Sequence, residues 1–353
     1  MNASPRILII KLSSLGDILH TLPAFFDLRA AFPDATIDWL AAAKCGSLAA
    51  SIPGIDRLHL LDTAPLLNFP PDRRGWRRIR TLIHELRARR FDCALDFQGL
   101  LKTALLASVS GSIARFGFSR EMVRERPAHW FYHRTLKKPP HPVHVVQLNR
   151  MLAELAGARP CSSAIDLRVS ADDTLQADSL LNREGLINFT VINPGGGWPT
   201  KRWAPERYGQ LARRIQTELG MQVAVTTGPG EDTLFEIVSR SCGQPLPRHL
   251  PVSFLQLVPI FRKASLCIGG DTGPFHLACA LGTPVVGIFG PTSAVRNGPW
   301  RDGEVVVTRS LPCSSCYGRS CRTQNECMDI GVDEVFAGVV RRLRMGEGSV
   351  ART

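Results

Sequence analysis

The chain has 353 residues, of which 44% are hydrophobic and 21% are charged, so intrinsic disorder over most of its length is excluded. Its 43 Lys and Arg residues outnumber its 31 Asp and Glu residues, which gives a formal net charge of +12 and predicts a negatively charged partner. No apolar run approaches the roughly 20 residues that cross a bilayer, so a transmembrane protein is not expected.

In the first half of the chain, short apolar runs alternate with amphipathic stretches, which predicts βαβ units and a parallel sheet. The predicted strands are Ile7–Ile10, Thr36–Leu40, Arg57–Leu61 and Cys93–Phe97. Ahead of the last strand, a predicted helix has apolar residues at helical spacing: Trp76, Ile79, Leu82, Ile83 and Leu86. Basic residues fall outside this apolar stripe, so the helix is expected to pack with one face and to present a basic one.

The same alternation returns in the second half of the chain. Its predicted strands are Thr190–Asn193, Gln222–Thr226, Leu266–Gly269 and Val285–Phe289. Two similar halves indicate an α/β protein of two Rossmann-like domains, with the ligand in a crevice at the carboxyl ends of the strands. The predicted divisions are one Rossmann-like domain at 1–170, a second at 171–331, and a closing helix and tail at 332–353.

The first candidate site is the turn after the first strand, which runs from Lys11 to Asp17. If the two-domain interpretation holds, Asp17 lies at the mouth of the crevice and could act as a general base. Asp is also a preferred helix N-cap residue, a role that stabilises a helix by about 0.5–2 kcal/mol, and spacing alone favours that interpretation. The turn lacks the GxGxxG pattern, which argues against a nicotinamide enzyme.

A glycine-rich loop, PGGGWPTKRW, forms the second candidate site from Pro194 to Trp203. Its glycines allow close approach to a ligand, Thr200 offers a hydroxyl, and Lys201 and Arg202 offer charge-assisted bonds to phosphate. The spacing differs from a Walker A loop. The alternative is a flexible loop with two solvated cations.

The third candidate site is the segment GGDTGPFHLA, which begins at Gly269 where a strand gives way to a helix. Pro near the start of a helix and free backbone amides at its N-terminus predict a phosphate site. Asp271 and Thr272 could instead only cap the helix, and His276 could be a packed core residue. In an earlier turn, Glu231 or Asp232 could meet a ribose hydroxyl, although a plain turn is equally consistent.

The array CxxC-x4-C-x5-C is formed by Cys313, Cys316, Cys321 and Cys327. Four thiolates close together could hold structural zinc or iron, and the alternative is free thiols or an adventitious disulfide. Neither interpretation is expected to affect catalysis. A metal-bound nucleic-acid binder is disfavoured, because it would leave the glycine-rich loop and the Asp271 helix start without a role.

Several segments together resemble the ADP-heptose:lipopolysaccharide heptosyltransferases, glycosyltransferase family 9, over about Arg6 to Leu343. The matching segments are Lys11–Ala24, DFQGL at Asp96–Leu100, Lys201–Trp203 and Asp271–Ala278. Gln98–Gly99, the arginines at 73–78 and Arg124 look most like the members that add the first heptose to Kdo-lipid A. In contrast, Pro194–Gly197 and Pro199 look more like the second heptosyltransferase, which leaves the acceptor open.

This resemblance implies a GT-B fold and inverting transfer of heptose from ADP-L-glycero-beta-D-manno-heptose to the Kdo region of lipid A, with no metal ion required. It makes Asp17 the catalytic base and Lys201 the contact to the diphosphate. Further donor contacts are implied at Asp271, Thr272, Gly273 and His276, with the ribose at Glu231 or Asp232. Acceptor contacts are implied at Arg73, Arg74, Arg77, Arg78 and Arg124. The resemblance thus assigns acceptor binding to the domain at 1–170 and donor binding to the domain at 171–331. We therefore expect a cytoplasmic protein, peripheral to the inner face of the inner membrane, that binds no nucleic acid.

Overall fold

The computed structural model describes residues 4–62, 73–161 and 165–350. It separates into two compact units, Met1–Arg168 and Val169–Thr353. The predicted closing helix and tail, 332–353, fall within the second unit. In the described residues, no helix combines the length and the apolar character needed to cross a membrane.

The first unit contains a parallel six-stranded sheet in the order β3-β2-β1-β4-β5-β6. Its strands are β1 (Arg6–Ile10), β2 (Thr36–Ala42), β3 (Arg57–Leu61), β4 (Cys93–Asp96), β5 (Ala114–Phe118) and β6 (Arg134–Leu136). Its helices are α1 (Leu15–Leu19), α2 (Leu22–Ala31), α3 (Gly46–Ala50), α4 (Arg73–Ala88), α5 (Leu101–Val109) and α6 (Val145–Leu155), with 3₁₀ turns at Ala43–Cys45 and Arg126–Phe131.

The second unit contains another parallel six-stranded sheet, in the order β12-β11-β10-β7-β8-β9. Its strands are β7 (Phe189–Asn193), β8 (Gln222–Thr226), β9 (Arg248–Leu250), β10 (Leu266–Gly270), β11 (Val285–Phe289) and β12 (Val305–Thr308). Its helices are α7 (Ala171–Arg183), α8 (Pro205–Leu219), α9 (Asp232–Cys242), α10 (Leu257–Lys263), α11 (Gly273–Leu281), α12 (Ala294–Asn297) and α13 (Val332–Val350), with 3₁₀ turns at Pro199–Lys201 and Glu326–Met328.

Both sheets have the same connectivity. In each, the first strand in the chain lies between the second and the fourth, which is the Rossmann order 3-2-1-4-5-6. The direction of the crossovers therefore reverses between β1 and β4 in the first unit and between β7 and β10 in the second. In open α/β sheets, ligands bind beyond the carboxyl ends of the strands at this switch point. The turns that follow β1, β4, β7 and β10 are therefore the expected positions of ligand-binding and catalytic residues.

The central strands are apolar on both faces, as a parallel sheet covered by helices requires. Ile7, Leu8, Ile9 and Ile10 of β1 are all fully buried. In the second unit, the rings of Trp203 and Tyr208 pack edge to face with centroids 4.8 Å apart. These cores fix the strand ends from which the candidate sites project.

Helix α4 is amphipathic, as its spacing predicts. Ile79, Leu82 and Leu86 are buried, whereas the arginines of its other face are exposed. The placement of Trp76 on the packing face is wrong, because its side chain is 52% exposed. At 100° per residue, Trp76 lies at the border of the apolar stripe rather than at its centre. An indole ring is therefore exposed beside the basic face.

Candidate active site

The turn after β1 is closed by a contact between Ser14 and Asp17. Ser14 is the N-cap residue of α1, and both its backbone N–H and its Oγ donate to Oδ2 of Asp17, at 2.8 and 2.9 Å. The predicted N-cap position of Asp17 is therefore wrong, because Asp17 is the third helical residue and its carboxylate reaches back to the cap. Its side chain is half-buried. The same carboxylate can hold the helix start and remain accessible to a ligand.

Gln98, in the turn after β4, holds the turn that carries Asp17. Its Oε1 accepts hydrogen bonds from the backbone N–H groups of Leu12, at 3.2 Å, and Ser13, at 3.3 Å. The buried Lys11 ammonium also donates to the carbonyl of Phe97 at 2.8 Å. These bonds join the two turns that flank the switch point of the first sheet. They also give the DFQGL segment a structural role that its sequence did not reveal.

Gln98 is in turn fixed by Asp96, which is fully buried. Oδ1 of Asp96 accepts from the backbone N–H groups of Gln98 and Gly99, and Oδ2 accepts from the hydroxyl of Tyr132 at 2.6 Å. Burial raises the pKa of the Asp96 carboxyl, and these hydrogen bonds oppose the rise. Tyr132 fits only because residue 117 is glycine, since a Cβ there would lie 2.5 Å from the Tyr132 ring.

In the second unit, a buried carboxylate joins two of the predicted donor-binding residues. Oδ2 of Asp271 accepts from Nζ of Lys201 at 2.7 Å, and Oδ1 lies 2.7 Å from Nε2 of His276. The side chains of Asp271 and His276 are 8% and 3% exposed. Burial alone would raise the pKa of Asp271, but the hydrogen bonds and positive charge from His276 and Lys201 outweigh it and hold the pKa well below its usual range. Asp271 is therefore ionised and orients the Lys201 ammonium.

We expect Asp271 to make the stability of the second unit dependent on pH. Because its folded pKa is lowered, it stabilises the fold above the unfolded pKa of about 3.9, and this contribution is lost as the pH falls further. Asp271→Asn should therefore be less stable than the natural chain at pH 7, and the difference should narrow towards pH 3. Denaturant unfolding across this pH range measures it. Asp302→Asn, at an exposed loop position, should track the natural chain throughout, and a constant gap for Asp271→Asn would contradict the account.

The Glu231 carboxylate holds the glycine-rich loop through hydrogen bonds. Its Oε1 accepts from the backbone N–H of Gly196 at 3.3 Å and from Nη2 of Arg202 at 3.2 Å, and its Oε2 accepts from the N–H of Gly228 at 2.9 Å. A Cβ at Gly195 would lie 2.1 Å from Oε2, so glycine is required there. Asp232 is exposed, as the first residue of α9. Of the two acids proposed for a ribose contact, Glu231 is thus the one beside the loop.

Helix α11 begins at Gly273, where β10 ends in Gly270. Thr272 is its N-cap residue, but the Thr272 hydroxyl donates to Oδ1 of Asn193, at the end of β7, at 3.2 Å. The first amides of α11 therefore lie at the switch point of the second sheet, beside Lys201 and Asp271. Free amides at a helix N-terminus bind phosphate well.

Thr200 was predicted to contact the sugar-nucleotide donor, but in this structure its hydroxyl binds another part of the chain. Its side chain is buried, and its hydroxyl donates to the carbonyl of Gly318 at 2.7 Å, while Nδ2 of Asn325 donates to the Thr200 carbonyl at 3.1 Å. The cysteine array therefore touches the residue next to Lys201. The expectation that this array does not affect catalysis stays a prediction.

The cysteine array itself consists of free thiols. Cys313, Cys316 and Cys321 are exposed and Cys327 is buried, and all four line one small cavity. Among the residues described here, no three His, Cys, Asp or Glu side chains form a group that could hold a metal ion. The geometry therefore gives no support to the zinc or iron predicted for these cysteines.

The arginines predicted to meet the acceptor lie on both sides of the first switch point. Arg77 and Arg78 are exposed on α4, after β3, and Arg78 pairs with Asp62 at 3.0 Å. Arg124 is exposed in the loop after β5. The side chains of Arg73 and Arg74 lie outside the described part of the chain. Since β3 and β5 are separated by three strands, these arginines flank the Asp17 turn rather than forming one cluster.

Comparison with known proteins decides the family. The model of "Glycosyltransferase family 9 (heptosyltransferase)" matches residues 79–326. The chain belongs to glycosyltransferase family 9. Lipopolysaccharide heptosyltransferase 1 of Pseudomonas aeruginosa is 30% identical over 328 residues, which cover 90% of this chain and 88% of that protein.

Solved structures agree on the fold of this family 9 chain. A family 9 glycosyltransferase from Veillonella parvula superimposes with a TM-score of 0.83 at 20% identity, covering 97% of this chain and 98% of that one. E. coli heptosyltransferase WaaC with ADP gives a TM-score of 0.75 at 22% identity, and the match covers 96% of this chain and 99% of that one. The predicted family, the GT-B fold and the assignment as a glycosyltransferase of the lipopolysaccharide heptosyltransferase family are therefore confirmed.

Proposed function

We propose that this chain transfers heptose from ADP-L-glycero-beta-D-manno-heptose to the Kdo region of lipid A, with inversion at the anomeric carbon. The observation that carries the proposal is the Lys201–Asp271–His276 group, which lies beside the start of α11 at the switch point of the second sheet. An ammonium held by a buried carboxylate beside free helix amides suits a diphosphate leaving group. The relative from Pseudomonas aeruginosa, a heptosyltransferase 1, supports the choice of reaction.

The donor is proposed to bind through its ADP. Lys201 and the first amides of α11, from Thr272 and Gly273 onward, stabilise the diphosphate charge that grows as the bond from C1 to the phosphate oxygen breaks. Glu231 accepts hydrogen bonds from the ribose hydroxyls, because a carboxylate has more acceptor positions than its present partners fill. E. coli heptosyltransferase WaaC was solved with ADP, which supports ADP as the nucleotide of the donor. Side-chain cations and amides serve here in place of a metal ion.

Asp17 is proposed as the general base. As the acceptor oxygen forms its bond to C1 of the heptose, its proton passes to the Asp17 carboxylate and ADP leaves from the opposite face. A positioned carboxylate typically contributes roughly 10²–10⁴-fold to such a step. Ser14 orients this carboxylate with two hydrogen bonds, and Gln98 fixes the backbone just before it.

The acceptor is proposed to be held by the exposed arginines of the first unit. Arg77, Arg78 and Arg124, together with Arg73 and Arg74, offer bidentate bonds to the Kdo carboxylates and lipid A phosphates. Near an anionic membrane surface each basic residue contributes about 1 kcal/mol, and the half-exposed Trp76 suits the membrane interface. The protein would then work at the inner face of the inner membrane.

An alternative acceptor is a lipid that already carries one heptose, because Pro194–Gly197 and Pro199 resemble the corresponding residues of the second heptosyltransferase. Purified protein should therefore be mixed with ADP-heptose and three acceptors: Kdo-lipid A, the same lipid already carrying one heptose, and lipid A without Kdo. We expect ADP release with Kdo-lipid A alone. Release only with the heptosylated lipid would establish the alternative acceptor, and transfer only from UDP-sugars would contradict both.

A further inference from the structure

The cysteine segment, residues 311–327, is anchored on the glycine-rich loop. Its Gly318 carbonyl accepts from the Thr200 hydroxyl, and its Asn325 side chain donates to the Thr200 carbonyl. A third anchor joins the segment to the end of the neighbouring strand β11, where the backbone N–H of Tyr317 donates to the carbonyl of Pro291 at 2.8 Å. These bonds fix the position of the residue that follows Gly318, which is Arg319.

Arg319 and Lys201 share one aromatic ring. The Lys201 ammonium lies 4.3 Å from the centroid of the Trp198 ring, and the Arg319 guanidinium carbon lies 5.1 Å from it. Both cations are thus held beside the glycine-rich loop, although 118 positions separate Lys201 and Arg319 in the chain. The guanidinium is exposed, so a ligand on the loop can reach it.

The charge balance of the loop sets Arg319 apart. Lys201 pairs with Asp271 and Arg202 pairs with Glu231, so each of these cations is largely offset by a carboxylate. In the described ranges, no carboxylate lies within ion-pair distance of Arg319. A diphosphate brings at least two negative charges, and two neutralised pairs attract it weakly. The Arg319 guanidinium supplies an additional positive charge, and its coplanar N–H groups can donate two hydrogen bonds to one phosphate.

We infer that Arg319 is a second cation for the donor's diphosphate and that the cysteine segment is the scaffold that places it. This inference rests on the proposed function, since it takes the donor to bind at Lys201. It gives the segment a role that needs neither a metal ion nor a disulfide.

The test is ADP affinity, measured by isothermal titration calorimetry. Arg319→Ala should weaken ADP binding about tenfold, the loss expected for one charge-assisted contact. Arg319→Lys should lose less ADP affinity, because it keeps the positive charge but not the coplanar N–H donors of the guanidinium. The matched control Arg322→Ala, an exposed arginine of the same segment, should stay within about twofold of the natural chain. Adenosine affinity should not change in any of these variants, whereas a general disturbance of the loop would lower it.

The scaffold role is tested by a double-variant cycle. Thr200→Val removes the bond to Gly318 and should weaken ADP binding in the same direction, with little further loss when it is combined with Arg319→Ala. Fully additive losses would overturn the scaffold role and return Thr200 to a direct donor contact. If Arg319→Ala binds ADP as tightly as Arg322→Ala does, the inference fails while the proposed function stands. If the natural chain does not bind ADP at all, both fail.

Discussion

Replacing Asp17 with Asn is expected to lower turnover of ADP-heptose and its acceptor by about 10²–10⁴-fold. The amide can still accept the hydrogen bonds from Ser14 but cannot take a proton from the attacking hydroxyl. ADP affinity should stay within about twofold, because the ADP contacts are proposed in the other unit of the chain. Steady-state rates and ADP titration on the same preparation measure both quantities.

Ser14→Ala is the matched control for this prediction. It removes one of the two hydrogen bonds to Asp17, from Oγ, while the backbone bond and the carboxylate remain. We expect a loss of about 1 kcal/mol in the free energy of unfolding and only a modest loss of turnover. If Asp17→Asn and Ser14→Ala lose stability and turnover to the same extent, Asp17 only closes the start of α1 and is not the base.

Replacing Lys201 with Ala is expected to weaken ADP binding by about 10-fold to 100-fold and to lower turnover further. The variant loses a charge-assisted contact to the diphosphate and deprives the buried Asp271 carboxylate of its ion pair with the Lys201 ammonium. The additional loss of turnover reflects charge that develops on the leaving group only as the bond breaks. Calorimetry and single-turnover rates separate the two effects.

Lys263 provides the control, because it forms the same kind of ion pair elsewhere in the second unit. Its Nζ lies 2.7 Å from Oδ1 of Asp178, and its side chain is 52% exposed. Lys263→Ala should leave ADP binding and turnover unchanged, since exposed pairs contribute about 0–1 kcal/mol. Equal losses in Lys201→Ala and Lys263→Ala would show that any disturbed ion pair suffices and would remove Lys201 from the donor site.

The central strands could be predicted from the sequence because each is a short apolar run bounded by turn residues. β1 and β10 are of this kind. Three missed strands lack that signal: β5 contains Arg115 and Gly117, and β6 and β9 have three residues each. They form because neighbouring strands offer hydrogen bonds, which local patterns do not encode. β12 was also missed, although its three consecutive valines are a local signal for a strand.

The candidate site was predictable where its residues are close in sequence. Asp271 follows β10 directly, and Asp17 lies in the first helical turn after the loop that follows β1, so their positions just after strand ends single them out. Gln98 and Arg319 were missed as contributors because their contacts come from distant parts of the chain. Gln98 reaches Leu12 across 86 positions, and the Thr200 bond that anchors Gly318 spans 118. Only the folded sheet order brings such turns together.

Structural metal was one of two interpretations of the cysteine spacing, and the described residues give it no support. Four cysteines within a short stretch suggest ligands, and all four line one small cavity, but a metal site also requires a ligand geometry that spacing does not fix. The same stretch contacts the loop of Lys201 through the backbone carbonyl of Gly318 and the side-chain amide of Asn325. The motif therefore marked a segment whose contacts with the loop depend on residues between the cysteines.

The linkage in the product tests the central claim most directly, namely a single displacement of ADP by an acceptor hydroxyl that Asp17 deprotonates. The β-configured donor should give a lipid one heptosyl unit heavier, with that unit α-linked to Kdo, as read by mass spectrometry and by NMR of the anomeric carbon. A β-linked product, or a heptosyl group found covalently attached to the protein, would contradict the account.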